Sequence, residues 1–324
     1  MIEITPKMIK SWSTVGQRAT LGLVLYELAK THKNLFIVTA DVSTSAGLDR
    51  FRKTYPDQFL DVGIAEQNMI GVAAGIANNG FNVITTTFAP FQSLRCAEQI
   101  KVDLAYTGTK ALMVGLASGL TNGPLGNTHC CIEDVGALRS IPNLKLIAPA
   151  DCLSVAKAVI TSLNQEAPVY IRLTGGANHP IVYQEDIKLV LGKAVELKSG
   201  TDVSIFANGS SVFQCLQASD ILRKNGISVS VWDMHTIKPI DKVAIEKAAS
   251  STSLIVGVEE HNILGGLSSA IAEYLSSRGN SPPLLSLGIQ DIFLKPGNYQ
   301  YMLEQSGLTP EGISTNILNA LTKS

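Results

Sequence analysis

Glu66 is a first candidate for acid–base chemistry in this chain. An apolar run from Phe59 passes through Gly63, and Glu66 then opens a segment rich in small residues that predicts a helix over residues 65–78. A carboxylate in the first turn of a helix is stabilised by the helix dipole, so this position by itself is more often structural than functional. Carboxylates that are held in a cleft serve as general acids and bases.

Two phenylalanines follow the next predicted strand, over residues 83–87. Phe88 and Phe91 could line an apolar slot that binds a flat ring and lowers the local dielectric around Glu66. The same i, i+3 spacing is typical of the ordinary core of a helix. The two aromatic rings are therefore candidates that need a context.

A loop without charged residues runs from Ser118 to Cys131 and contains Gly, Asn, Pro and Thr. Loops of this length inside a compact domain are more often functional than not. His129 lies near its end, and an imidazole there is suited to hydrogen bonding and proton transfer. The other four histidines, His32, His179, His235 and His261, have no comparable context, and we interpret them as structural.

The words around these residues resemble one family. Asp-Val-Gly-Ile-Ala-Glu-Gln at residues 61–67, Thr-Phe-Ala-Pro-Phe at 87–91 and Gly-Asn-Thr-His at 126–129 are similar to the pyrimidine-binding half of transketolase-like thiamine diphosphate enzymes. The resemblance implies that Glu66 shares a proton with the pyrimidine N1′, that Phe88 and Phe91 pack on the aminopyrimidine ring, and that His129 lies over the thiazolium. Asp41, after the strand at 36–40, matches a position near the cofactor in that family, although it could equally be a turn former.

The family's diphosphate motif is absent from the 324 residues. Relatives hold the diphosphate and a divalent metal with a Gly-Asp-Gly turn and a downstream Asn, and Gly-Asp-Gly occurs nowhere here. The resemblance therefore implies one subunit of a split enzyme. Its partner would be an N-terminal transketolase-type subunit that carries Gly-Asp-Gly and holds Mg²⁺ or Ca²⁺, in an α2β2 assembly. We expect no metal site on this chain.

Substrate recognition departs from the family pattern. Sugar-phosphate enzymes of the family commonly place a second arginine three residues after the one matching Arg172, where this chain has Gly175. Leu94 stands where transketolases usually have tyrosine, and Cys130 where glutamine is frequent. The sequence predicts a less basic pocket, with Arg95 and Arg172 as candidate substrate contacts and Arg139 or the partner as further sources of charge.

The elements that must position these residues alternate between apolar strands and helices, which predicts an α/β fold with parallel sheets. The predicted strands of the first half cover residues 35–40, 83–87, 111–115, 144–147 and 169–172, and its predicted helices cover 18–30, 65–78, 91–106 and 152–163. The pattern lapses over 175–200 and resumes with predicted strands at 203–206, 227–231 and 254–258 and a helix that ends near 275. We predict a pyrimidine-binding domain at 1–185 and a smaller α/β domain at 190–324 that resembles the transketolase C-terminal domain.

Composition narrows the class of partners. The formal net charge is −1, from 26 basic and 27 acidic residues, and no long run of one sign suggests a nucleic-acid or membrane surface. Residues 1–7 lack the apolar core of a signal peptide, and the five cysteines form no CxxC pair, so we expect a cytoplasmic protein with reduced thiols.

Three activities remain open at this point. The resemblance favours a transketolase, which moves a two-carbon ketol unit from a ketose to an aldose. A condensation of the deoxyxylulose-phosphate-synthase type and a 2-oxo acid dehydrogenase β subunit are alternatives. A non-catalytic binding protein is disfavoured because Glu66, Phe88, Phe91 and His129 are all present.

Overall fold

The computed structural model describes residues 4–322, and these form two sheets of seven and five strands with helices on their faces. The predicted mixed α/β architecture is confirmed. Residues 1–3, which are part of the segment assessed above for a signal peptide, lie outside the described range. Within that range no helix is both long enough and apolar enough to cross a membrane.

The first sheet draws most of its strands from the first half of the chain. The elements of this half are α1 (Pro6–Ala29), β1 (Leu35–Thr39), α2 (Asp49–Thr54), β2 (Phe59–Asp61), α3 (Glu66–Ala77), β3 (Asn82–Phe88), α4 (Ala89–Gln92), α5 (Ala97–Gln99), β4 (Ala111–Ser118), α6 (Asp134–Arg139), β5 (Lys145–Ile147), α7 (Cys152–Ser162) and β6 (Val169–Thr174). Strand β4 is buried along its whole length because helices cover both faces of the sheet.

The second sheet is built after a connector, residues 175–194, that contains neither helix nor strand. The elements that follow are β7 (Val195–Lys198), β8 (Val203–Ala207), α8 (Ser211–Lys224), β9 (Val229–Asp233), β10 (Thr236–Lys238), α9 (Lys242–Ser251), β11 (Leu254–Asn262), α10 (Leu267–Leu275), β12 (Leu284–Ile289), α11 (Tyr299–Gln305) and α12 (Pro310–Leu321). Their order in the second sheet is β12-β11-β8-β9-β7, and β7 pairs antiparallel with β9.

Strand β10 does not belong to the second sheet. The order of the first sheet is β10-β5-β6-β4-β3-β1-β2, so β10 forms its edge by pairing antiparallel with β5, where Thr236 lies opposite Ile147. The ammonium group of Lys238 adds hydrogen bonds to the carbonyl oxygens of Arg139 and Ile141. One cluster of buried apolar side chains also runs from α1 and α7 into β8 and α12, so the two sheets share a continuous core.

Two predicted helices differ from the observed ones. Helix α1 begins at Pro6 rather than at residue 18, and its path breaks at Gly16, where φ is +84° and a Cβ would overlap the Gly176 carbonyl. The predicted helix over 91–106 is instead α4, a 3₁₀ turn at Leu94–Cys96, α5 and a π-helix at Ile100–Tyr106. The Ser93 hydroxyl donates to the Ala89 carbonyl at 2.6 Å, a local bond that competes with regular helix geometry.

Candidate active site

The candidate residues follow four neighbouring strands at the same edge of the first sheet. Strands β2, β1, β3 and β4 are adjacent and parallel, and Asp41, Glu66, Phe88 and His129 come after β1, β2, β3 and β4 respectively. Ligands of open α/β sheets bind outside the carboxyl ends of the strands. The topology therefore places these four positions where a site is expected.

Glu66 is the first residue of α3, and only 4% of its surface is exposed. The residue before it, Ala65, offers no side chain to cap the helix, so the carboxylate lies at an end where backbone N–H groups carry partial positive charge. Its Oε2 accepts a hydrogen bond of 2.7 Å from Nη1 of Arg95. A buried carboxylate is therefore held at the edge of the sheet with one oxygen directed to a cation.

Arg95 joins the carboxylate to the aromatic residues. Its guanidinium carbon lies 4.0 Å from the centroid of the Phe91 ring, within the range of a cation–π contact. The Arg95 side chain is 43% exposed, so it can leave this place without disturbing the core. The guanidinium links Glu66 and Phe91 on one side of the site.

His129 forms the opposite side. Its ring centroid lies 5.6 Å from that of Phe91 and 6.3 Å from that of Phe88, with edge-to-face angles of 76° and 69°. Its Nδ1 lies 3.0 Å from the Thr128 hydroxyl. The structure thus brings together Glu66, Arg95, Phe91, His129 and Phe88 in one continuous series of contacts.

Asp41 has a different place from the other four. Its φ is +57°, which Asp tolerates better than most residues, and its side chain is exposed. Its backbone N–H donates to Oδ1 of Asp61 at 2.9 Å, and the Gly63 N–H donates to the same oxygen at 2.9 Å. Asp61, which the sequence analysis did not single out, ties the end of β1 to the turn before Glu66. An Asp two residues before a turn glycine is a recognisable signal for such a bond.

Arg172 is not part of this group, at variance with the prediction that it contacts substrate. Its side chain is 1% exposed and lies inside β6. Its Nε donates to both oxygens of Asp134 at 3.0 Å, and Nη2 donates to the carbonyls of Cys131 and Glu260 at 3.1 and 2.7 Å. A guanidinium that is buried and bonded in this way has a structural role.

Gly175 follows the same strand and cannot simply be replaced by the arginine of related enzymes. Its φ is +88°, and a Cβ there would overlap the imidazole of His179. Its N–H donates to the Thr121 hydroxyl at 2.9 Å. The missing arginine therefore reflects a different backbone path as well as a different side chain.

Burial governs the thiols near the site. It raises the pKa of Cys96 to about 12, with a further contribution from Glu66, and the pKa of Cys130 to about 11. Both thiols stay protonated at neutral pH, so neither is an activated nucleophile. No group of three or more His, Cys, Asp or Glu side chains in residues 4–322 is arranged to hold a metal ion.

Comparisons with known proteins agree with the fold and with the arrangement of the site. The family model described as transketolase, pyrimidine binding domain, matches residues 13–178, and that of the transketolase C-terminal domain matches residues 192–313. One of the two subunits of an apulose-4-phosphate transketolase from Phocaeicola vulgatus is 40% identical over 95% of this chain and 98% of its own length. A 6-deoxy-6-sulfo-D-fructose transketolase subunit from a Clostridium species is 37% identical over 91% of each chain.

A solved structure of a split-gene transketolase, described as an inactive β4 tetramer, is 34% identical and superposes with a TM-score of 0.86 over 95% of this chain and 98% of that one. A 1-deoxy-D-xylulose-5-phosphate synthase from Desulfotalea psychrophila is 32% identical, but this chain spans only 50% of its length. The two transketolase subunits above match along nearly their whole length instead. The chain belongs to the transketolase family and is the C-terminal subunit of a heteromeric transketolase, a transferase that acts with a partner subunit.

Proposed function

We propose that Glu66, Phe88, Phe91 and His129 form this chain's half of a thiamine diphosphate site at which a two-carbon ketol unit passes from a ketose to an aldose. The observation that carries the proposal is the buried Glu66 carboxylate beside an aromatic wall. An aminopyrimidine needs an acceptor for its protonated ring nitrogen and apolar faces for its ring. The residues present therefore fit that part of the cofactor.

Each residue has a separate task. When bound, thiamine diphosphate supplies a carbanion that carries the two-carbon unit. Glu66 holds the proton at the pyrimidine N1′, and its low exposure keeps water from competing for that proton. Phe88 and Phe91 cover the ring and lower the dielectric constant around the carboxylate. His129, on the loop after β4, bonds substrate oxygens and transfers protons to them.

The partner supplies what this chain lacks. Gly-Asp-Gly is absent from the sequence, and we propose that an N-terminal transketolase-type subunit provides this motif together with Mg²⁺ or Ca²⁺. Both transketolase relatives are named as subunits, and the split-gene structure without a second kind of chain is described as inactive. An α2β2 heterotetramer with closed symmetry would complete two equivalent sites. The five buried free thiols are typical of a cytoplasmic protein.

The donor substrate is proposed to be an unphosphorylated or otherwise modified sugar. Arg172 is buried and bonded, and Gly175 stands in place of the second arginine, which leaves Arg95 as the exposed cation of the group. The relatives are named for a branched sugar phosphate and for a sulfonated sugar, so this subfamily serves unusual ketoses. Arg95 and the partner subunit would together hold any anionic group on the substrate.

Titration calorimetry with thiamine diphosphate tests the division of the site between two chains. The isolated chain should bind the cofactor weakly, and the reconstituted pair should bind it tightly and only with a divalent metal. Micromolar, metal-dependent binding by the isolated chain would contradict the proposal. Turnover of several ketoses by the reconstituted pair then tests the reaction, and a pair that binds cofactor without transferring a ketol unit would overturn it.

A further inference from the structure

The loop that carries His129 closes on itself at its base. The N–H of Gly119 donates to the Cys131 carbonyl at 2.8 Å, and the N–H of Cys131 donates to the Gly119 carbonyl at 3.0 Å. We call residues 119–131 the His129 loop. Two buried charged side chains, Glu260 and Arg172, hold this closed base from outside the loop.

Glu260 reaches the His129 loop from β11 in the second sheet. Its Oε1 accepts a 2.6 Å hydrogen bond from the N–H of Leu120, while Oε2 accepts bonds of 2.6 Å from the hydroxyls of Ser210 and Tyr299. The side chain is 1% exposed. Gly119 has φ of +64°, and a Cβ there would overlap the Glu260 carboxylate, so the close approach requires glycine.

Arg172 holds the other end of the base. Its Nη2 donates to the Cys131 carbonyl and also to the backbone carbonyl of Glu260, so one guanidinium joins the loop to β11. Burial alone would lower the pKa of Arg172, but the carboxylates of Asp134 and Glu260 more than offset this, and the net shift is upward. The guanidinium therefore stays charged, and its bonds to both carbonyls are charge-assisted.

The remainder of the loop also lies against the C-terminal part of the chain. The side-chain amide of Asn127 donates to the Leu294 carbonyl at 3.1 Å. A Cβ at Gly123 would overlap Met302 and the Gly297 carbonyl. The second domain is therefore a support for the loop on which His129 lies, beyond its packing against the first sheet.

We propose that Glu260 is a positioning residue for ketol transfer: its carboxylate fixes the base of the His129 loop and thereby sets the His129 imidazole against Phe88 and Phe91. This inference rests on the proposed function, in which His129 acts at substrate oxygens. Displacement of a catalytic group by about 1 Å can cost roughly a hundredfold in rate. A neutral alanine at 260 leaves the Leu120 N–H and two hydroxyls without their acceptor, so the base of the loop should loosen.

The test compares Glu260→Ala and Glu260→Gln with a matched control, Glu259→Ala. Glu259 is also 1% exposed and accepts two backbone N–H bonds, but from Leu267 and Ser268 at the start of α10. Amide hydrogen exchange of the full chain should accelerate across residues 119–131 in Glu260→Ala and not in Glu259→Ala. Unchanged protection of the loop in Glu260→Ala would overturn the inference.

Kinetics of the reconstituted complex give the second readout. Glu260→Ala should lower kcat/KM for sugar turnover by about tenfold to a hundredfold, whereas hydrogen–deuterium exchange at C2 of the bound cofactor, which depends on Glu66, should stay at the wild-type rate. Glu260→Gln keeps one acceptor oxygen for Leu120 and should recover most of the loss. Slowed C2 exchange in Glu260→Ala would mean that the variant disturbs the cofactor half of the site and would overturn the inference.

A double-mutant cycle with His129→Ala separates the inference from the function on which it rests. If Glu260 acts through His129, Glu260→Ala should add less than about threefold to the loss already caused by His129→Ala. Full multiplication of the two losses would overturn the role of Glu260 alone. If His129→Ala by itself left kcat/KM unchanged, the proposed role of His129 would be overturned, and the inference with it.

Discussion

Arg95 occupies both contacts that we propose for the cofactor's pyrimidine ring. Its guanidinium donates to Glu66 at 2.7 Å and lies 4.0 Å from the centroid of the Phe91 ring. A guanidinium is planar and presents N–H donors, as a protonated aminopyrimidine does. The side chain must therefore withdraw before the ring can bond Glu66, and its 43% exposure leaves it room to do so.

Removal of this guanidinium should favour the cofactor. Arg95→Ala in the reconstituted complex should tighten thiamine diphosphate binding by up to about fivefold, the scale of a partly exposed ion pair, and should raise KM for an anionic sugar. Calorimetry and steady-state kinetics measure the two effects. Arg50→Ala is the control, because Arg50 stacks 3.9 Å over the Tyr26 ring away from this group. Weaker cofactor binding in Arg95→Ala would show that Arg95 is instead a ligand of the cofactor.

Loss of the Glu66 carboxylate should slow activation of the cofactor. Glu66→Gln keeps the volume and removes the acid–base group, so hydrogen–deuterium exchange at C2 in the reconstituted complex should slow by at least about a hundredfold. The exposed Glu304→Gln should exchange as the wild type does. A wild-type rate in Glu66→Gln would remove Glu66 from the mechanism.

Arg172 should affect stability more than substrate affinity. Arg172→Met leaves the Asp134 carboxylate buried without its cation, which costs about 3–5 kcal/mol of unfolding free energy. Denaturant unfolding measures this loss, and Asp134→Leu in the same chain should restore part of it. Arg223→Met, which breaks the exposed pair with Asp220, should change stability by less than about 1 kcal/mol. A selective rise in KM with unchanged stability in Arg172→Met would return Arg172 to the substrate site.

Gly175→Arg should not create a phosphate site. The positive φ and the overlap with His179 should cost on the order of 1–3 kcal/mol in stability, whereas Gly176→Arg, where a Cβ meets nothing within 4 Å, should be tolerated. Thermal unfolding of both variants gives the comparison, and kcat/KM for pentose phosphates should not improve in Gly175→Arg. A stable Gly175→Arg protein with improved use of pentose phosphates would contradict this description of the pocket.

Two buried groups at the end of β9 should give opposite dependences of stability on pH. Burial raises the pKa of Asp233 from 3.8 to about 7, against the hydrogen bond from Tyr183, and lowers the pKa of His235 from 6.5 to about 4. Between pH 4 and 7 the folded protein holds an extra proton at Asp233, so this group's contribution falls as pH rises. Over pH 4–6.5 the folded protein lacks a proton at His235, so that contribution rises with pH.

Single variants should separate the two contributions. The unfolding free energy of Asp233→Asn minus that of the wild type should increase from pH 4 to 7, and the same difference for His235→Gln should decrease from pH 4 to 6.5. The slope should approach about 1.4 kcal/mol per pH unit in the middle of each window. Urea unfolding across this range provides the measurement, and differences of equal sign in both variants would contradict the assignment.

The sequence predicted what local pattern and spacing determine. The main strands and the positions of Glu66, Phe88, Phe91 and His129 followed from apolar runs and from the words after them, and the structure puts these residues at one edge of one sheet. The Glu66–Arg95 pair and the burial of Arg172 depend on contacts between distant segments, which no local pattern encodes. Glu260 was hidden for a related reason: adjacent acidic residues after a strand usually predict an exposed end, whereas β11 stays buried through His261.

Strand β10 limits how this protein can be taken apart. A cut in the connector near residue 190 would remove Thr236–Lys238 from the edge of the first sheet and leave the hydrogen-bonding groups of β5 open to other chains. A fragment that ended there would invite strand exchange and aggregation. Chimeras of this protein with its relatives should therefore be joined so that β10 and the first sheet come from the same parent, because the module that folds together does not coincide with a continuous stretch of the gene.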